Sequence, residues 1–180
     1  MQQAEWSSVR AGEEEGARLL RLTIDAGRGN VLTRACLREL REALALHGAK
    51  AGLCALVLDH SGEHFSFGAS VAEHRSDSVA AMLEELSTLA QELVALSVPL
   101  LAVVHGQCLG AGLELVALAE RVFAAPAARF GQPEIQLGVF APLGSTLLPR
   151  LVGARAAASL LLGGQSIGAE EARAIGLVAE

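Results

Sequence analysis

A chain of 180 residues with 52% hydrophobic and 19% charged side chains is long enough for one domain with a buried core, and too apolar for a disordered one. Its net charge of −6 argues against nucleic acid as the main partner, because phosphate backbones are held by clustered Lys and Arg. Five Phe, one Trp and no Tyr provide no base-stacking platform and leave the core to aliphatic side chains.

The N-terminal stretch "MQQAEWSSVRAGEEEG" is polar and acidic, unlike a signal peptide, and "EEE" at 13–15 reads as a solvated turn. "ARLLRLTID" (17–25) reads as a strand. "RGNVLTRACLRELREALALHGAK" follows as a turn and a helix, with Thr33 as cap, Leu37, Leu40 and Leu44 as its apolar stripe, and Gly48 after the last turn. His47, near the helix end, is assigned a capping role. "GLCALVLDH" (52–60) is a continuous apolar run, the pattern of a parallel strand covered on both faces. "SGEHFSFGASVAEH" is a loop, and 78–99 is a long helix that stops before Pro99 and packs Met82 inward, away from any ligand.

The order then repeats. "LLAVVHG" is a strand, "QCLGAG" a glycine turn, "LELVALAE" a short apolar helix and "RVFAAP" a further strand. "ARFGQPEIQLGVFAP" is a loop with room for one extended piece, "LGSTLLPRLVG" and "ARAAASLLLGG" are helices, and "GAEEARAIGLV" begins another. Alternating strands and helices predict an α/β fold. The longest apolar run, 98–119, contains Pro99, His105, Gln107 and Glu114, so a buried strand, turn and helix fit it better than a membrane span. Cys36, Cys54 and Cys108 form no metal spacing and read as buried reduced thiols. His60, His64, His74 and His105 show no metal spacing either and are assigned mainly to solvent or local hydrogen bonds. Arg28 and Lys50 are candidates for a phosphate, but two isolated cations do not locate a site.

Two strand ends carry small-residue turns, "FSFGAS" (65–70) and "CLGAGLE" (108–114), which allow backbone N–H groups to approach a ligand. One N–H from each turn would form an oxyanion hole. Glu114 stands between Leu113 and Leu115, and Glu134 between Pro133 and Ile135. Burial in such company raises a carboxyl pKa toward the range useful for proton transfer. Spacing alone leaves each glutamate open to a plain surface role.

"GEHFSFGAS", "VPLLAVVHGQCLGAGLEL", "ARFGQPEIQLGVFAP" and "LLLGGQSIGAEEARAIGLV" occur in an order that resembles the enoyl-CoA hydratase/isomerase (crotonase) family, over essentially residues 15–180. The resemblance implies one crotonase-like core domain over 1–180, a spiral of repeated β-β-α units with much of the family's C-terminal helical segment absent. It implies the backbone N–H groups of Ala69 and Ala111 as the oxyanion hole, and Glu114 and Glu134 as the catalytic pair. Phe67, Gly68, Ser70, Gly110 and Phe140 would lie against the substrate. No metal and no separate cofactor are implied, coenzyme A being part of the substrate. A cytoplasmic homotrimer, or a dimer of trimers if the C-terminal segment is present, is also implied, with no nucleic-acid or membrane partner.

Within the family, "HFSFGASVAEH", "GQCLGAGLEL" and "FGQPEIQLGVFAP" look most like the hydratases of cyclohexa-1,5-diene-1-carbonyl-CoA. Ser70 stands where many members carry Asp, and Phe140 and Ala141 stand where ordinary hydratases carry smaller or glycine-rich sequence. A straight-chain enoyl-CoA hydratase or another acyl-CoA lyase or isomerase is the second expectation. A noncatalytic CoA-binding or structural protein of the same fold is the third.

Overall fold

The computed structural model describes residues 6–16, 18–75 and 77–180. Its first strands, β1 (Val9–Glu14) and β2 (Leu19–Ile24), form an antiparallel hairpin. β1 corrects the reading of "EEE" as a solvated turn. Glu13 and Glu14 belong to the strand, and only Glu15 turns, at φ 53. Glu14 pairs with Arg21 across the hairpin, while Glu13 bonds Lys50 and, at 2.8 Å, His47. His47 therefore holds β1 to the following helix as well as standing at that helix's end.

That helix, α1 (Arg34–His47), begins where it was expected, with Thr33 Oγ1 accepting from Cys36 N at 3.2 Å. Cys36, Leu37, Leu40, Ala43 and Leu44 form its buried stripe. β3 (Ala55–His60) starts later than the apolar run, and Cys54 is exposed, against the expectation of a buried thiol. α2 (Val79–Val94) ends five residues before Pro99. It packs on α1 through Leu86, Leu89 and Leu93 and through the ion pairs of Arg38 and Arg41 with Glu85 and Glu92.

The chain continues through β4 (Leu100–Val104), β5 (Gln107–Leu109), α3 (Ala111–Val116), β6 (Arg121–Ala124) and β7 (Arg129–Gly131). A 3-10 helix, Pro133–Leu137, then leads to α4 (Pro142–Leu151), α5 (Gly153–Gly163), β8 (Ser166–Gly168) and α6 (Ala169–Ala174). Of the three short strands, β5 falls in the expected glycine turn, β7 is the extended piece of the 128–142 loop, and β8 lies between two expected helices. Three residues carry too few side chains to show a period of two.

The strands form two sheets, β1-β2-β3-β4-β6 and β5-β7-β8. β2, β3, β4 and β6 run parallel, which accounts for the unbroken apolar runs of β3 and β4. A repeating unit is visible in the order. β4, β5 and α3 form one copy, and β6, β7 and α4 the next, each placing one strand in each sheet before its helix. The earlier turns reduce the second strand to a single bridge, Leu32 with Ala69 and Ser66 with Cys108. This is the spiral of β-β-α units, and it places the 65–70 turn in register with β5. Leu22, Leu58, Ala102, Leu113 and Phe130, among others, form one core between the layers.

The Thr33 cap gives a direct stability test. Thr33→Ala is expected to cost about 1 kcal/mol in urea unfolding, and Thr33→Ser to retain most of it. Equal losses in both variants would show that the hydroxyl contributes nothing.

Candidate active site

The site is built where the two glycine turns meet. Ser66 N donates to Gln107 O at 3.0 Å and Leu109 N donates to Ser66 O at 2.9 Å, a parallel bridge between the turns. Gly68 has φ +94, and a Cβ there would stand 3.0 Å from Leu109 O and 3.4 Å from Ala111 N. Only glycine lets the two backbones come this close. Gly112 fits against Ser66 in the same way, since a Cβ would meet Ser66 Cβ at 2.7 Å.

The result is a pair of backbone N–H groups at one cavity wall. Ala69 and Ala111 both line the cavity. Neither N–H has a hydrogen-bond partner among the described residues, whereas the neighbouring Ser70 N donates to Leu32 O and Glu114 N to Gly110 O.

Glu114 projects from α3 and is 1% exposed. One carboxylate oxygen accepts from Gly144 N, at the start of α4, at 2.8 Å. Burial raises its pKa to about 7, against the lowering effect of that backbone N–H, and the nearby Glu134 carboxylate adds to the rise. Glu134 comes from the 3-10 helix and reaches back over the 108–114 turn. A Cβ on Gly110, which has φ +53, would lie 2.8 Å from its Oε1. Its pKa is also raised by burial, with His74 pulling it back. Two carboxylates twenty residues apart in sequence thus share one site.

The enclosed space is about 410 Å³. Phe67, Gly68, Gly110 and Phe140 line it as expected, with Val79, Leu86 and Val139 adding apolar wall. Among its described lining residues, the polar side chains are Glu114, Glu134 and His74. Two expectations change. Ser70 is 8% exposed and is not a lining residue; its N–H and carbonyl serve Leu32, Glu73 and His74 instead. Met82 is fully buried on the packing face, yet also lines the cavity. Lys50 is committed to Glu13, and Arg28 is exposed and outside the cavity lining. No group of three or more His, Cys, Asp or Glu suited to a metal ion occurs among the described residues, and no helix there is long and apolar enough to cross a membrane.

Three supporting residues escaped the sequence reading. Asn30, 1% exposed and at φ 44, donates to Ser61 O and His64 O, both at 2.9 Å. Ser66 Oγ donates to Asn30 O and accepts from Gly68 N. Gln132 is buried with its amide against Glu134. With the nitrogen toward the carboxylate it donates at 2.9 and 3.0 Å, and the opposite orientation would set oxygen against oxygen. Asn30, in "RGN", carried the one available signal, since Asn tolerates positive φ in a turn.

The raised carboxyl of Glu114 has a measurable consequence. Its unfolded pKa is near the ordinary 4.5 and its folded value about 7, so the folded state holds the proton longer. Stability is then full below about pH 4.5 and falls as pH rises to about 7, by an order of 3 kcal/mol. Glu114→Gln is expected to gain stability relative to the parent across that window in urea unfolding. Parallel pH profiles would contradict the burial of an ionisable group there.

With this geometry established, its relatives can be compared. The enoyl-CoA hydratase/isomerase family model matches residues 14–180. The chain is 46% identical over 96% of its length to the cyclohexa-1,5-dienecarbonyl-CoA hydratase of Thauera aromatica, covering 67% of that protein. It is 35% identical over 97% of its length to the 2,3-dehydroadipyl-CoA hydratase of Escherichia coli (strain K12), covering 69%. Among solved structures, an enoyl-CoA hydratase from Bacillus anthracis superposes with a TM-score of 0.90 at 28% identity, over 96% of this chain and 69% of that one. The chain thus spans about two thirds of the length of these relatives. It belongs to the enoyl-CoA hydratase/isomerase family and is an enzyme of the hydratase type.

Proposed function

We propose that the chain adds water to a conjugated acyl-CoA thioester, and that the acyl group is the cyclohexa-1,5-diene-1-carbonyl ring. The observation that carries the reading is the convergence of two unpartnered N–H groups, the buried carboxyl of Glu114 and the half-buried carboxyl of Glu134 on one apolar cavity. Such a wall suits a hydrocarbon ring, while the N–H pair suits the thioester oxygen. The relative from Thauera aromatica supports the cyclic substrate. Coenzyme A is part of the substrate and no further cofactor enters the scheme. The cytoplasmic location and the homotrimeric or hexameric assembly belong to the same proposal.

The chemistry follows from where charge develops. The Ala69 and Ala111 N–H groups polarise the thioester carbonyl and make the β-carbon electrophilic. Water, oriented by Glu114, gives a proton to that carboxylate as its oxygen bonds to that carbon, and the electron pair of the double bond moves onto the thioester oxygen as a dienolate. Glu134 handles the proton delivered to the far end of the conjugated system. The remaining double bond shifts, and the sum is one water added, giving the 6-hydroxycyclohex-1-ene thioester. Gly144 N–H keeps Glu114 aimed, and Gln132 does the same for Glu134.

A straight-chain enoyl thioester is the second reading, since the family's members share this N–H and carboxylate arrangement by resemblance. A side-by-side assay with cyclohexa-1,5-diene-1-carbonyl-CoA and crotonyl-CoA separates the two. The cyclic thioester is expected to have the higher kcat/KM, and preference for crotonyl-CoA would reject the cyclic assignment. Glu134→Gln is expected to lower turnover on the order of 10²-fold or more while leaving thioester binding within a few-fold. Near-parental turnover in the folded variant would remove Glu134 from the mechanism.

A further inference from the structure

The loop that carries Ala69 crosses the end of the large sheet, where the N–H groups of His105 and Gln107 meet side chains rather than backbone carbonyls. β3 and β4 pair only from Leu56–Leu58 to Leu100–Ala102. Pairing resumes beyond the crossing, with Phe65 N donating to His105 O at 3.1 Å and Ser66 N to Gln107 O. In the gap, imidazole nitrogens take the place of carbonyls. His60 Nε2 accepts from His105 N at 3.2 Å, and His64 Nδ1 accepts from Gln107 N at 3.3 Å. Between those two donors lies Gly106, at φ +61, where a Cβ would run into Glu63 O and stand 2.6 Å from His64 Nδ1. The crossing is close-packed, and its two N–H groups have ring nitrogens as acceptors.

We propose that His60 and His64 are positioning residues, which as neutral imidazole acceptors hold the 61–69 loop, and with it the Ala69 N–H, against the 105–111 turn. This rests on the oxyanion role proposed above for Ala69. The tautomers are set by the partners. His60 Nδ1 faces Ser61 O at 3.4 Å and carries the hydrogen, leaving Nε2 to accept. His64 accepts at Nδ1 and so carries its hydrogen on Nε2, 4.0 Å from Glu63. The His64 ring also lies 4.8 Å from that of Phe67, a cavity wall. Protonating either ring removes an acceptor and sets positive charge against a backbone N–H.

The surroundings of His60 work against that protonation. It is 6% exposed, and burial, then the His105 ring at 3.8 Å, push its pKa down. Ser61 O and Asp59 on its own strand oppose this, as does the backbone of His64. Phe65 closes the other side of the ring. Asp25, at the end of β2, is tied to the loop through Ser61. In the structure both acceptors are in place. Acid loosens the loop and moves an oxyanion donor, which weakens the transition state more than ground-state binding.

The test uses His64→Leu, His64→Asn and the double variant His60→Gln/His64→Asn. Asn Oδ1 stands near the place of Nδ1 and Gln Oε1 near that of Nε2, and neither protonates. At about pH 8, His64→Leu is expected to lower kcat about ten-fold with KM changed less than about two-fold, and His64→Asn to recover to within about three-fold of the parent. As pH falls toward about 5, the double variant's turnover should rise relative to the parent's. The Glu114 and Glu134 titrations are common to both proteins and cancel in that ratio.

Parental kcat in His64→Leu, equal loss in His64→Asn, or a flat ratio overturns the proposal. Should His64→Leu fail to fold, the ratio decides alone. If the parent hydrates neither cyclohexa-1,5-diene-1-carbonyl-CoA nor crotonyl-CoA, the functional reading has failed, and amide exchange over 63–69 decides the clamp. Faster exchange in His64→Leu, restored in His64→Asn, supports it, and unchanged exchange overturns it.

Discussion

Everything at the site depends on two backbone turns lying against each other without side chains between them. The bridge between Ser66 and Cys108 sets their register. Gly68, Gly110 and Gly112 remove the Cβ atoms that would hold the turns apart or displace Glu134. The contact is a sheet interaction in miniature, with N–H and carbonyl groups exchanged through Ser66, Gln107 and Leu109. What it leaves over is as important as what it pairs. Ala69 N and Ala111 N fall outside the exchange, and both residues line the cavity; in the proposed mechanism they are two donors that need no reorganisation when charge appears.

The carboxylates are placed by the same contact but carry an opposite cost. An ionised Glu114 in an apolar wall is unfavourable, and the chain compensates only in part with the Gly144 N–H. A pKa of about 7 is the outcome, near the value at which a group can both take and give a proton at neutral pH. Glu134 stands partly in solvent and is shifted less specifically, with Gln132 and His74 as its polar neighbours. The pair therefore differs in environment, the usual basis for dividing roles between two carboxyls.

The elements most legible in the sequence are those with long periods. α1 is set by its Thr33 cap and its Leu37, Leu40 and Leu44 stripe, and β3 by its unbroken apolar run. β1 was missed because its outward face is acidic and its inward face holds little beyond Val9. β5 and β8 are not legible because three residues cannot display alternation, and an extended piece at β7 does not name its partner, so the second sheet and its spiral are not derivable locally. At the site, the burial of Glu114 was visible in its neighbours, but its meeting with Glu134 depends on that unseen topology; the motif resemblance stood in for it. Ser70 is a further limit: its neighbours Ala69 and Val71 line the cavity while its own backbone is bonded to Leu32, Glu73 and His74, and spacing does not say which turn residues face the ligand. Asn30 and His64 work through backbone atoms of distant loops, which no local pattern encodes.

The central claim is that the Ala69 and Ala111 N–H groups receive a thioester oxygen beside the two glutamates. A crystal structure with a bound acyl-CoA thioester tests it most directly. The thioester oxygen is expected at about 2.7–3.1 Å from both backbone nitrogens, with the acyl group in the cavity bounded by Glu114 and Glu134. A thioester oxygen away from either nitrogen, or an acyl group outside that cavity, would contradict the account.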